Sequence, residues 1–381
     1  MNFEFPPRQY GKAMALQTKL DAERVSAADF DMAVSHFDGV LQEGTVAFAR
    51  ARWPKVALEP WIFSQAGYPK AGMLVMVQPL PAKLGHIAVV KWGPMLANET
   101  AEDAKEVERQ ALAFAKEHYA VKRGMMLSVM AKADAPDAPK VLDWMEAHGF
   151  KSAKPLPFPA RYHIKVKLSD EEQRKSFAQK WRYHLNKSEK AGLSFEVAGK
   201  ADLPRFQKLY DAMSDRKNFP DFSAYNTLPG MMAALPEDLK PQLFFVTKDG
   251  HDVAGAVIFT GGRTAAYLYG ATNNEALPLR AGYLLHARVI SWLRDNSDVE
   301  WYDLGGTDGF QGLHQFKKGM VGTAGRIVQV PALSNYAATT RAHLTGHGAY
   351  LLRDSLQRAR MVVNKARGRY AKPDQVKDTE A

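Results

Sequence analysis

Glu300–Gly322 reads EWYDLGGTDGFQGLHQFKKGMVG. Trp301–Leu304 is a short apolar run closed by Gly305-Gly306, which predicts a buried strand opening into a glycine-permitted turn. Thr307–Gln315 follows as a loop, and Phe316-Lys317-Lys318 then stands just ahead of Gly319 and Gly322. A strand end that leads through a flexible loop to fixed cations suits a site where negative charge develops. A surface turn with a solvated lysine pair is the plain alternative, because lysines are mostly exposed.

Working outward, Thr264–Thr272 (TAAYLYGAT) has a strand pattern whose period of two puts Tyr267 and Tyr269 on one face. Pro278–Asn296 (PLRAGYLLHARVISWLRDN) carries apolar residues at helical spacing, so strand, helix, strand and loop run in order. Taken in that order, YLYGAT, a helix, WYDLGG and FKKG resemble the C-terminal half of the FemABX family, in its compact branch without the long coiled-coil arm. The resemblance runs from Ala27 to Val330 and is strongest over Phe177–Gly192 and Thr264–Gly322.

The resemblance implies an α/β (α+β) chain of two tandem GNAT-like acyltransferase domains followed by a C-terminal helix. It implies transfer of an amino acid from aminoacyl-tRNA to the stem peptide of a peptidoglycan precursor, either lipid II or UDP-MurNAc-pentapeptide. Such an ester is already activated, so positioning and stabilisation of the carbonyl oxygen are the main needs. On this reading Lys317 is the cation at the oxyanion and Phe316 positions the tRNA end. Tyr267 and Tyr269 line the precursor site. Arg182 and Lys187 meet precursor phosphates, and Arg50 stands where the family has an N-terminal precursor-binding lysine. Asp303 is either a catalytic carboxylate or a residue that hydrogen-bonds the loop backbone.

The bulk numbers agree with an enzyme of this kind. The chain has 381 residues, 46% of them hydrophobic, enough for two or three domains with cores of their own. Its formal net charge of +10 favours a polyanionic partner: RNA, phospholipid head groups or a nucleotide-linked substrate. The absence of cysteine excludes disulfides, thiolate metal sites and a cysteine nucleophile. No signal-peptide core and no membrane-spanning run is legible, so a cytoplasmic protein with peripheral contact at the membrane surface is expected. Walker A, HExxH, G-x-S-x-G and a clean GxGxxG are all missing, and the histidines are scattered; neither a metal nor a bound cofactor is expected.

Elsewhere the sequence predicts a helical start over Ala27–Trp53 and short strands at Trp61–Phe63, Met73–Val77 and His86–Lys91. A helix opened by a Thr100-x-x-Asp103 box runs to Tyr119, a strand covers Met125–Met130 and a helix covers Val141–His148. A second box, Ser169-x-x-Glu172, opens one basic helix running to Ala191. The second half then repeats the pattern, with a helix at Asp202–Arg216 and strands at Leu193–Val197, Leu243–Thr247 and Val253–Phe259. Domains are expected at 1–168 and 169–338, with a basic helix and tail over 339–381. Tyr350–Tyr370 is amphipathic, and its expected role is packing against the second half, with an RNA- or membrane-facing strip as the alternative. Two other functions share these features: an acyl-CoA-dependent N-acyltransferase acting on a sugar or polysaccharide precursor, and a non-catalytic RNA-binding module. The first normally carries an R/Q-x-x-G-x-G/A turn for the pyrophosphate, and no clean copy is present.

Overall fold

A computed structural model describes residues 19–132, 138–217 and 224–366. The described residues form two compact units. One holds the chain up to Leu156 together with Ala234–Pro236 and Val330–Gln357, and the other holds Pro157–Ala233, Glu237–Gln329 and the chain from Arg358 on.

In the first unit β1 (Asp21–Arg24) precedes helices α1 (Ala27–Val34) and α2 (Val46–Arg52). Then come β2 (Ala57–Gln65), β3 (Tyr68–Pro79), β4 (His86–Lys91), β5 (Met95–Leu96), α3 (Ala104–Ala115), β6 (Met126–Met130), α4 (Ala138–Ala147) and β7 (Lys151–Ser152). The second unit runs β8 (Ala160–Lys165), α5 (Asp170–Ser176), α6 (Gln179–Glu189), β9 (Leu193–Ala198), α7 (Leu203–Lys217) and α8 (Leu228–Ala234). It continues through β10 (Gln242–Lys248), β11 (His251–Phe259), β12 (Thr264–Thr272), α9 (Ala276–Leu279), α10 (Ala281–Asn296), β13 (Trp301–Asp303), α11 (Gln311–Val321) and β14 (Arg326–Gln329). Finally β15 (Ser334–Tyr336) and the start of α12 (Thr340–Ala366) return to the first unit.

The two sheets share one plan. Their orders are β1-β2-β3-β4-β6-β15-β7 and β9-β10-β11-β12-β13-β8-β14, with β5 on the side of β3. Each has one parallel pair, β4 with β6 and β12 with β13, joined by a crossover helix, α3 or α10. Parallel neighbours require such a crossover, and it leaves their carboxyl ends and the following loop free to build a site. In each sheet the strand beyond the parallel pair comes from outside the run of the other strands: β8 from before it, β15 from after the whole second unit.

This exchange corrects the expected boundaries at 168 and 338. Tyr162, Ile164 and Val166 alternate into the core that holds Trp181, Ile258, Val289 and Tyr302, so the segment around β8 belongs to the second unit. Strand β15 fills the gap between β6 and β7 in the first. The first part of the C-terminal helix, up to Gln357, is likewise on the first unit, where the Tyr350 hydroxyl donates to Ser128 at 2.8 Å and a side chain at Gly346 would meet Met126, while the part from Arg358 on is grouped with the second unit.

Local signals account for most ends. Ser169 and Glu172 form the predicted capping box in full. The helix it opens stops at Ser176 rather than Ala191, because Phe177 and Ala178 are extended before α6 begins. At Thr100 the amide and hydroxyl both go to the Asn98 side chain, so the first box is not made and α3 starts later, at Ala104.

Candidate active site

Strand β13 ends at Asp303, and the loop from Leu304 leads into α11. FKK therefore lies on a helix and not in a loop, which corrects the expected reading of this stretch. The helix stops where Gly322 turns to φ +58°; a Cβ there would stand 1.9 Å from the Ser176 carbonyl oxygen, so only glycine fits. Being helical, Lys317 and Lys318 separate by about 100°: Lys317 is buried and Lys318 exposed.

Lys317 Nζ donates to the Leu304 carbonyl at 2.6 Å and to the Gly306 carbonyl at 2.5 Å. An ammonium has three donors, so one is left. Burial lowers its pKa to about 8, and Asp303 and Asp308 act against that shift. Asp303 is not its direct partner. One carboxylate oxygen of Asp303 accepts from Arg161 at 2.6 and 2.7 Å, and the other accepts the Gly305 amide at 2.7 Å. Burial would raise this carboxyl, but Arg161 and His163 more than offset it and hold it well below the usual carboxylate range. Asp303 is thus an ionised anchor of the loop, too weak a base to take a proton. Together Asp303 and Lys317 clamp the turn at Leu304–Gly306 from two sides.

The aromatic shell comes from α6, α10 and α11. Half-buried Phe316 packs near Trp181, Tyr283 and His286, with ring centroids 6.2, 5.0 and 5.6 Å away. His286 Nδ1 lies 3.1 Å from the Tyr302 hydroxyl, and burial, then Lys317, push the imidazole down to about 3, so it is neutral. The Tyr162 hydroxyl meets His314 Nδ1 at 2.5 Å.

The two tyrosines of YLYGAT part company. Strand β12 carries a bulge, with Val257 opposite Tyr269 and Ile258 opposite Tyr267, leaving Leu268 unpaired. An extra residue reverses the alternation. Tyr267 therefore packs on the α10 side, its ring 5.0 Å from His286, and its hydroxyl occupies the space above Gly270. Burial raises its pKa to about 12. Tyr269 is buried on the other side, against Tyr225 and 3.5 Å from the Thr227 hydroxyl. The expectation that both line one surface is overturned.

The remaining predicted residues scatter. Arg182 donates through one guanidinium nitrogen to the carbonyls of Lys175 at 3.0 Å and Phe177 at 2.5 Å, closing the end of α5. Lys187 is exposed on the last turn of α6. Arg50 is exposed in the first unit at the end of α2, with Asp31 as its electrostatic neighbour. Among the described residues no group of three or more His, Cys, Asp or Glu could hold a metal ion.

Arg161, His163 and His286 were not singled out in the sequence. The first two sit two apart on β8, a spacing that puts them on one face, but nothing local ties them to a carboxylate 140 residues on. That link exists only through the pairing of His163 with Asp303 across the sheet.

Residues 175–318 match the acetyltransferase (GNAT) domain family, a stretch that contains α6, the α10 crossover and Lys317. Among solved structures the chain is similar to FemX, at 15% identity and a TM-score of 0.68, covering 83% of this chain and 97% of that one. It is similar to a conserved protein of unknown function from Bacteroides thetaiotaomicron at 11% identity and a TM-score of 0.54, covering 83% and 98%. It is also similar to the C-terminal domain (DUF2156) assigned to a lysylphosphatidylglycerol synthetase of Agrobacterium fabrum, at 14% identity and a TM-score of 0.51, covering 84% and 95%. No curated protein sequence matches the chain significantly. The chain thus has the FemX fold, with two GNAT-like units and the acetyltransferase signature in the second.

Proposed function

We propose that the protein is an aminoacyltransferase that takes an amino acid from aminoacyl-tRNA and attaches it to an amine of a peptidoglycan precursor. The observation that carries this reading is Lys317, a buried ammonium with two donors on loop carbonyls and a third with no hydrogen-bond partner among the described residues. The substrate amine attacks the ester carbonyl, and negative charge grows on its oxygen. A cation fixed in a low-dielectric setting stabilises that charge without reorganising. The C–N bond forms, the ester C–O bond breaks, and the proton lost by the amine ends on the released ribose hydroxyl.

Nothing in this scheme needs a protein nucleophile. The ionised Asp303 and neutral His286 serve it by holding the loop and excluding water around the lysine. The basic surface of α6, with Lys180, Lys187 and Lys190 exposed, supports a phosphate-bearing substrate.

Acyl-CoA as the donor is the second reading, favoured by the acetyltransferase family match over 175–318. The two separate in one assay. The protein is incubated with a pool of charged tRNAs and UDP-MurNAc-pentapeptide or lipid II, and in parallel with acetyl-CoA. Transfer of label from the tRNA pool alone supports the proposal; acetylation of the precursor or of a sugar amine without tRNA replaces it.

A further inference from the structure

Helix α12 is apolar on two sides. Ala342, Gly346, Ala349 and Tyr350 recur at helical spacing and lie against the first unit, where Tyr350 and Ala349 join a small cluster with Met126, Ile87 and Leu80. Leu344, Leu351, Leu352, Leu356 and Val363 form a second stripe. All five are exposed: 65%, 65%, 50%, 53% and 46%. Of the large hydrophobics exposed in the described residues, these five fall on one helix. Such contiguous apolar surface marks something that covers it.

The surrounding charge says what. From Arg341 to Ala366 the sequence holds five Arg or Lys and one acid, Asp354. Arg341 and Arg358 are exposed at positions that helical spacing places among the leucines. A second copy of the same helix would bring two cationic strips together. RNA would match the cations but leave the leucines in water. An anionic bilayer surface satisfies both, since acyl chains take the apolar stripe and phosphodiester head groups take the arginines. No described helix is long and apolar enough to cross a membrane.

We propose that α12 is an interfacial anchor that lies in the head-group layer of an anionic phospholipid membrane. The inference does not depend on the acyl-transfer reading. The leucines sink below the phosphates while the arginine guanidiniums remain at their level.

The test uses the full-length protein in co-sedimentation with vesicles of phosphatidylcholine alone and of equal parts phosphatidylcholine and phosphatidylglycerol. Binding to the anionic vesicles should be tighter by about tenfold or more, and should weaken with salt. Leu344→Gln/Leu351→Gln/Leu352→Gln/Leu356→Gln should lose about tenfold or more, with an unchanged melting temperature because all four are exposed. Arg341→Gln/Arg358→Gln should narrow the difference between the two vesicle types. Leu352→Trp supplies an independent readout, its emission shifting to the blue on anionic vesicles. Equal binding to both vesicle types, an unshifted tryptophan, or leucine substitutions that abolish only self-association or RNA binding would overturn the anchor.

Discussion

Among the described residues each unit buries one lysine beside its parallel pair, and the two lysines are held in opposite ways. In the first unit Lys132, just beyond β6, pairs directly with Glu99 at 2.7 Å, both side chains being about nine-tenths buried. In the second, Lys317 Nζ donates to two loop carbonyls, while the nearby carboxylate, Asp303, is taken by Arg161 and the Gly305 amide. A charge matched by its own counter-ion has little field to offer a substrate. A cation held by neutral dipoles keeps its field, at a cost in solvation that shows as a pKa lowered to about 8. The same fold thus carries a neutralised lysine in one half and an available one in the other.

The sharpest way to break this contrast is to remove each carboxylate. Glu99→Gln should destabilise by about 3–5 kcal/mol, because it breaks an ion pair buried on both sides, and Asp303→Asn should destabilise less, because the Arg161 side chain facing it is about a quarter exposed. Denaturant titration reads this. Only Asp303→Asn should also alter the chemical step, since Asp303 helps to keep Lys317 protonated. Its own stabilising effect has a definite sign: the native pKa is depressed, so the contribution is present above the ordinary carboxylate pKa of about 4 and is lost as the pH falls toward the native value. Wild-type stability should therefore fall more steeply in acid than that of Asp303→Asn.

A smaller effect separates the two tyrosines. Removing the Tyr269 hydroxyl by Phe substitution deletes a long contact to Thr227 and should change stability by about 1 kcal/mol or less, with no effect on acceptor affinity. Tyr267→Phe, on the side of α10 and His286, should weaken acceptor binding instead. If Tyr269→Phe alone weakens the acceptor, the bulge does not set which tyrosine faces it.

The bulge also shows where sequence reading stops. Thr264–Thr272 was legible to the residue as a strand, because a run of β-formers closed by a turn is a local pattern. The extra residue at Leu268 was not, since a bulge is a property of the pairing with Val257 and Ile258. The helix around Lys317 was hidden by glycines at 309, 312, 319 and 322, which read as loop until the packing of Met320 and Val321 into the core is known. Arg182 looked like a ligand-binding cation because its partners are backbone carbonyls that the helix break at Phe177 exposes. The exchanged strands β8 and β15 followed the same rule. Each has a clear partner in space and none nearby in the chain.

Dependence on pH sharpens the central contrast. A lysine that must be charged to act, with a pKa of about 8, stops contributing as the pH rises through that value. Because the attacking amine must lose a proton, the rate of the chemical step should climb with pH below about 8 and flatten above it. Asp303→Asn should move the break to lower pH, since it removes a charge that favours the protonated lysine.

The most direct measurement is single-turnover transfer by Lys317→Met beside Lys318→Met, which substitutes the exposed neighbour one position along the helix. Lys317→Met should lose on the order of 10²–10³ in rate, about 3–4 kcal/mol, as for removal of one oxyanion donor. Its acceptor affinity should change little, because the charge matters chiefly in the transition state. Lys318→Met should transfer at the wild-type rate. A folded Lys317→Met that transfers as fast as wild type would contradict the account.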